Sequence, residues 1–322
     1  MTLGIIGRAD STGLGVLGIE FVRHLRPDRV LGIDLSAERG YAPIRAYFPA
    51  STHWTSGFPT REEIGDFLDG LDTVLTFETP YGPDLFPMAR EKGIRTVLVV
   101  MPEYLPSFGP GLGPDLYVNP TPWAPFKLPT PTVTIPIPIA LDRFDYPVPR
   151  EIGAPRRLVH PAGRIVGRDR NGTLLVEKAA KLFSVPLCLS VQSGRSEARD
   201  LRNYFDVFVT ADVLVLPRRY GGLCLPMQEA AAMGIPTVLL DVGGYREMGW
   251  PSSLLVPSRK MSTRRMRGNQ IVHHETRPQL LAQYVNLLLD DEDHYQRTSG
   301  FVREWAEARS WEKLRGWWES VL

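Results

Sequence analysis

Short apolar runs of four to six residues alternate with amphipathic stretches of about ten along most of this chain, and the alternation occurs twice. In the first half, Leu3 to Ile6, Arg29 to Ile33, Thr73 to Phe77 and Thr96 to Val100 read as strands. Gly15 to Leu25, Arg61 to Leu68 and Pro83 to Lys92 read as the helices between them. Runs that are apolar throughout suit strands covered on both faces, so the pattern predicts βαβ units on a parallel sheet. The second half repeats the grammar, with strands at Arg164 to Val166, Leu187 to Val191, Asp212 to Leu216 and Thr237 to Leu240. Its helices are expected at Thr173 to Phe183, Met227 to Met233 and Arg277 to Leu289. Two α/β domains follow, and 322 residues suffice for each to bury a core.

The junction between the halves has a different character. Residues 102–155 hold 14 of the 29 prolines, which forbids a continuous helix and favours stiff, extended chain. This segment reads as a rigid crossover between a domain of residues 1–144 and one of residues 145–322. Within it Val133, Ile135, Ile137 and Ile139 alternate like a strand laid on a surface. At the other end of the chain, Trp311, Leu314, Trp318 and Val321 fall on one face at helical spacing, so the last helix must dock on a core.

Composition narrows the function classes. With 37 Lys and Arg against 36 Asp and Glu, the chain is neither a basic nucleic-acid coat nor an acidic tail protein. Cys188 and Cys224 are too few for a disulfide scaffold and form no metal-ligand spacing, which fits a reducing, cytoplasmic compartment. The first residues, MTLGIIGRAD, read as a buried strand rather than a signal peptide, and no apolar run is long enough to span a membrane.

In an open parallel sheet, ligands collect at the carboxyl ends of strands, beside helix N-termini with unsatisfied N–H groups. Three loops fit that rule. The first runs from Gly7 to Gly15, where Gly13, Leu14 and Gly15 either let a ligand approach the helix start closely or serve a turn needing positive φ. Asp34, after the second strand, could imitate the ribose-binding acid of a nicotinamide site, although the loop is not G-x-G-x-x-G. The second loop, Gly167 to Thr173, brings Arg168, Arg170 and Asn171 to a helix start, an arrangement that can neutralise a diphosphate or merely form a solvated turn. The third follows a strand ending at Leu216 and leads through Arg218, Arg219 and Tyr220 to a helix starting near Pro226 and stopping at Gly234. Glu229 is expected in its first turn, where a carboxylate stays charged and can accept two ribose hydroxyls.

This third segment resembles the donor-binding signature of retaining GT-B glycosyltransferases of the family 4 type. Gly222, Leu225, Pro226, Glu229, Ala230, Ala232, Gly234 and Pro236 fit the pattern. Gly221 stands where the first Glu of the family's E-x7-E pair belongs, and Cys224 replaces a glycine. The resemblance extends to Gly13-Leu14-Gly15, to the loop of Arg168 and Arg170, and to Asp241 through Glu247. It implies a GT-B fold, an α/β arrangement of two Rossmann-like domains facing a cleft, with a C-terminal helix crossing back to the first domain. It further implies a nucleoside-diphosphate sugar as donor, no tightly bound cofactor and no metal. Glu229 would then bind ribose, Arg168 and Arg170 the diphosphate, and Arg218, Arg219 and Tyr220 would line the base or sugar side, with Gly222 and Leu223 in the same donor-binding loop.

A general base is harder to assign. Glu103 and Glu78 each follow a first-half strand at its carboxyl end, where an acceptor-side group belongs. His160 fits a structural or donor-side role equally well, while His273 and His274 are adjacent and make a poor metal pair. The run from Arg259 through Lys260, Arg264, Arg265 and Arg267 concentrates positive charge in an otherwise balanced chain. It reads as a solvated loop or as a track for the phosphates of a polymeric acceptor. The chain also resembles phage-borne relatives, some of which glycosylate hydroxymethylated pyrimidines in DNA. That resemblance implies a DNA acceptor in the host cytoplasm, against a lipid, polysaccharide or small-molecule acceptor. A non-catalytic nucleic-acid binder and a nicotinamide oxidoreductase remain as the other classes.

Overall fold

The computed structural model describes residues 1–10, 12–35, 44–101, 104–124, 127–143, 156–163, 169–191, 208, 211–266 and 269–322. The first half forms a seven-stranded parallel sheet in the order β3-β2-β1-β4-β5-β6-β7. Its strands are β1 (Leu3–Arg8), β2 (Arg29–Asp34), β3 (His53–Ser56), β4 (Thr73–Phe77), β5 (Arg95–Val99), β6 (Leu116–Asn119) and β7 (Thr132–Thr134). Helices α1 (Gly13–Leu25), α2 (Arg61–Leu68) and α3 (Leu85–Glu91) cross between strands. β1 and β4 are buried at every position, which is why they read as unbroken apolar runs. α2 begins where expected because Thr60 and Glu63 form a reciprocal capping box.

The second half holds a five-stranded parallel sheet ordered β12-β11-β10-β8-β9. These strands are β8 (Leu158–Gly163), β9 (Leu187–Val191), β10 (Val213–Val215), β11 (Thr237–Leu240) and β12 (Leu255–Val256). Around it lie α4 (Thr173–Ala179), α5 (Leu225–Ala232), α6 (Pro278–Asp290) and α7 (Glu292–Glu307). The expected strand at 164–166 lies outside the described residues. β8 ends just before it and went unread because Pro161 sits inside the strand, at an irregularity in its pairing with β9. The expected helix to Phe183 is shorter: α4 gives way to a 3-10 turn over Ala180–Leu182.

Two expectations need correction. The proline-rich segment is not simply a crossover, because it carries β6 and the edge strand β7 and then buries Ile135, Ile137 and Ile139. The basic run is not a loop. It is the strand β13 (Arg259–Met266), paired antiparallel with β14 (Asn269–Glu275). Here charged side chains on a two-stranded ribbon masked the strand pattern.

The last helix, α8 (Trp311–Val321), leaves the second half and packs on the first. Trp318 is fully buried, stands edge-on to Phe21 at 4.7 Å and donates Nε1–H to the Pro136 carbonyl at 3.0 Å. Trp311 stacks on His24, and Thr73 donates its hydroxyl to the carbonyl of Leu322 at 2.6 Å. The chain therefore passes between the halves twice, and the two passages meet. Ile139 N–H donates to the Arg309 carbonyl at 2.8 Å, and Trp311 N–H to the Ile139 carbonyl at 3.3 Å. Two Rossmann-like halves with flanking helices and a returning C-terminal helix make this a GT-B fold.

Candidate functional site

In each sheet the strand order reverses beside the first strand, between β1 and β4 and between β10 and β8. Crevices for ligands open at the carboxyl ends of such strands. The loops after β1, β4, β8 and β10 therefore decide what the cleft can hold.

After β1, the guanidinium of Arg8 donates to Asp10, whose other oxygen accepts Thr12 N–H at 3.0 Å. Asp10 is fully buried, and its carbonyl would lie 1.8 Å from a Cβ on Gly15. Gly15 is thus required by the loop folding back on its own helix. Gly13 faces the other half instead: a Cβ there would come 3.3 Å from Leu225. Leu14, Leu223 and Leu225 join the core that also contains Phe21, so the two predicted glycine loops meet across the cleft. Leu223 and Leu225 serve that contact between halves.

After β4, Glu78 and Tyr81 adopt left-handed backbone conformations at φ 64° and 59°, a strained state for residues other than glycine. Burial pushes the Tyr81 phenol well above its usual range, and the charge of Glu78 adds to the rise. Arg8 and Asp10 lie within electrostatic reach of the same phenol. Sequence reading named Glu78 and the Gly7 to Gly15 loop but gave no role to Arg8, the last residue of β1, or to Asp10 just after it. Glu103 lies outside the described residues. Asp34 pairs with Arg45 at 2.7 Å, a commitment that competes with any ribose contact.

After β8, Arg168 also lies outside the described residues. Asp169 caps α4, accepting from Thr173 N–H at 2.6 Å and Leu174 N–H at 3.1 Å. The helix start expected to receive a diphosphate is therefore filled by a carboxylate of its own loop. Asn171 donates its amide to the carbonyls of Pro161 and Ala162, which ties the loop to β8. His160 is fully buried, with Nδ1–H donating to the Val215 carbonyl at 2.7 Å and Nε2 accepting from Thr173. Burial lowers its pKa, consistent with a neutral structural imidazole.

After β10, Arg219 pairs with Asp169 at 3.3 Å and Glu275 at 3.5 Å, so its charge is largely matched within the protein. Arg170 lies over the Tyr220 ring at 4.7 Å, and Tyr220 meets His273 at 4.9 Å. Arg170 and buried Arg218 both act on the phenol of Tyr245, whose pKa burial raises strongly. Arg170 thus stands by the buried rings of Tyr220 and Tyr245, and Arg218 by that of Tyr245. Gly222 at φ 131° and Cys224 at φ 42° shape the turn into α5. α5 starts at Leu225, with Pro226 second, so Glu229 falls just beyond the first turn. The helix dipole therefore helps its charge less than expected, and the side chain is buried at 6% exposure.

The hairpin of β13 and β14 stands beside this group. His274 N–H donates to the Arg219 carbonyl, and Asn269 reaches the Leu105 carbonyl of the first half at 3.4 Å. Arg259, Lys260, Arg264 and Arg265 are exposed along it, while Arg267 lies outside the described residues. His273 contacts Tyr220 and His274 contacts Ser258, as neighbours on a strand must diverge. Among the described residues, no cluster of His, Cys, Asp or Glu could hold a metal, and no helix is long and apolar enough to cross a membrane. A cavity of about 260 Å³ opens between the halves near the hinge, lined by Pro120, Pro122, Pro136, Gln228, Arg309 and Trp317.

Comparison with known proteins agrees with this architecture. Residues 192–305 match the family model described as glycosyl transferases group 1, about a third of the chain. The fold is similar to sucrose-phosphate synthase from Thermosynechococcus elongatus, at 15% identity and TM-score 0.66, covering 100% of this chain and 98% of that one. It is also similar to HepE of Anabaena, solved with UDP and glucose, at 12% identity and TM-score 0.64 over 98% and 95% of the two chains. A glycosyltransferase from Rickettsia africae gives 12% identity and TM-score 0.63 over 99% and 97%. No curated protein matches the chain in sequence.

Proposed function

We propose that this protein is a retaining glycosyltransferase that moves a sugar from a nucleoside-diphosphate sugar to an acceptor hydroxyl. The observation that carries the reading is that the loops at the second sheet's switch point bear both kinds of group: Glu229 is buried on the helix that follows β10, and Arg170 and Arg218 both act on the phenol of Tyr245. A carboxylate for vicinal hydroxyls and guanidinium groups for a diphosphate are the two things a nucleotide sugar needs. The family match over residues 192–305 includes Arg218 and Glu229, which supports the same donor class.

In this mechanism the nucleotide lies mainly on the second half, which we take as a domain of residues 145–322, opposite a first domain of residues 1–144. Arg170, and Arg168 on the same loop, stabilise the negative charge that develops on the leaving diphosphate, the principal catalytic term. Closure of the halves over the cleft excludes water and protects the donor from hydrolysis. Glu78, held in a strained backbone and, like Arg8 and Asp10, within electrostatic reach of Tyr81, and Glu103 are the groups proposed to take the acceptor's proton. No bound metal is needed when guanidinium groups meet the diphosphate.

For the acceptor we propose a 5-hydroxymethylpyrimidine of DNA, reached in the cytoplasm. Support comes from the exposed Arg259, Lys260, Arg264 and Arg265 on a ribbon that also touches the first half, suited to phosphates entering the cleft. A modified base would enter the cleft flipped from its stack. The test is a panel of nucleotide sugars assayed for nucleoside diphosphate release, with and without hydroxymethylated DNA. Release that depends on DNA and is lost in Glu229→Gln supports both parts. Release with lipid or saccharide acceptors alone overturns the DNA assignment, and no release from any donor overturns the enzyme.

A further inference from the structure

One first-half side chain reaches the donor loops of the second half. Trp123 follows β6 at the carboxyl end of its sheet, and its backbone carbonyl accepts from Thr121 Oγ1 at 2.9 Å and Asn119 Nδ2 at 3.3 Å. Its indole lies against three glycines from two loops. A Cβ on Gly243 would fall 2.2 Å from Nε1 and 2.6 Å from Cε2, and one on Gly221 would fall 3.0 Å from Cζ3. Gly244, at φ 107°, lies under the remaining ring carbons. Gly221 and Gly243 also touch one another, because a Cβ on Gly221 would come 2.4 Å from the Gly243 carbonyl. No side chain fits at 221 or 243 while the indole is seated.

Gly221 stands eight residues before Glu229. If Glu229 takes the ribose and the arginines take the diphosphate, the transferred group extends beyond them, to the cleft wall built by these glycine loops and Trp123. We infer that Trp123 is a specificity-determining residue for the transferred sugar, presenting an aromatic face where a side chain at 221 would otherwise present polar atoms. This inference rests on the glycosyltransferase reading and extends it. An indole offers a ring face and a single N–H donor but no carboxylate-like acceptor. The wall therefore selects a pyranose by its C–H face, and reads its hydroxyls only weakly. Trp123 is half-buried, so the ring is not wholly consumed by the glycine slot.

The experiment measures equilibrium binding of a nucleotide-sugar panel, and of the corresponding free nucleoside diphosphates, to the full chain and to three variants. The wild type is measured first, and failure to bind any nucleotide sugar removes the glycosyltransferase reading itself. Trp123→Ala is expected to weaken the preferred nucleotide sugar roughly tenfold and leave the free diphosphate within about twofold. Trp123→Phe keeps a ring and is expected to recover most of the loss, while Gly243→Ala, which displaces the indole, copies Trp123→Ala. Equal weakening of sugar and diphosphate makes Trp123 merely structural and overturns the inference. So does unchanged binding of both, or tighter binding of the sugar, which would make the indole an obstruction.

Discussion

Adjacent tryptophans in α8 give a matched pair for testing how the C-terminal helix holds the two halves. Trp318 is 0% exposed and Trp317 is 59% exposed. Trp318→Ala removes a fully buried indole packed edge-on to Phe21, and leaves the Pro136 carbonyl without its donor. Truncating a buried Trp costs about 3–5 kcal/mol, the orphaned carbonyl lying within that range. Spread over a domain of this size, each kcal/mol lowers the midpoint by roughly 2–4 °C, so the first-half transition should fall on the order of 10 °C. Trp317→Ala should change stability by less than about 0.5 kcal/mol. Differential scanning calorimetry on both variants reads the contrast. A Trp318→Ala shift no greater than that of Trp317→Ala would refute the docking of α8 on the first half.

Other consequences concern charge and strain. Burial lowers the pKa of His160 and of half-buried His274, so protons enter the unfolded chain first as pH falls below about 6.5. Stability is then complete above that pH and declines below it by up to about 1.4 kcal/mol per pH unit per histidine; urea midpoints should show this, and His160→Gln should remove one proton's share of the slope. Asp69 and Asp72, both held below the usual carboxylate range by hydrogen bonds, titrate at lower pH and leave that window untouched. Glu78→Asn should lower turnover while leaving the melting temperature unchanged or higher, because asparagine tolerates the left-handed backbone that Glu78 occupies. Arg264→Glu with Arg265→Glu should weaken DNA binding and cut the salt slope by roughly two, without altering donor affinity; an unchanged slope in filter binding would remove the hairpin from the DNA path.

How far the sequence spoke depended on what each residue answers to. Strands such as β1 and β4 are buried on both faces, so their apolar runs declared them, and α2 was read from its pattern over Arg61 to Leu68, where the structure adds the capping pair Thr60 and Glu63. β3 (His53–Ser56) is a short edge strand with polar residues, β8 contains Pro161, and β6 and the edge strand β7 are short strands flanked by prolines. Each hid because its pairing partner, rather than its composition, makes it a strand. Within the site, Gly222 and Pro226 were readable because the turn needs positive φ and the helix start takes a proline, whereas Glu229 was singled out by its helix position and the family resemblance. That Asp169 would fill the start of α4, Asn171 tie back to β8, or Arg219 divide itself between Asp169 and Glu275 was not readable. Those choices depend on carboxylates and carbonyls brought close only by the sheet. Trp123 is the extreme case, since its meaning lies in glycines more than ninety positions away.

The central claim is that Glu229 binds the ribose of a nucleotide held on the second half. Calorimetric titration of nucleoside diphosphates and their 2′,3′-dideoxy analogues into wild type and Glu229→Gln tests it as a double-mutant cycle. Charge-assisted hydrogen bonds are worth about 1.5–3 kcal/mol, so the wild type should lose roughly 10- to 100-fold on losing the hydroxyls. The variant should bind the ribose and dideoxy forms almost alike. Equal discrimination by wild type and variant would contradict the claim, as would the absence of any nucleoside diphosphate binding.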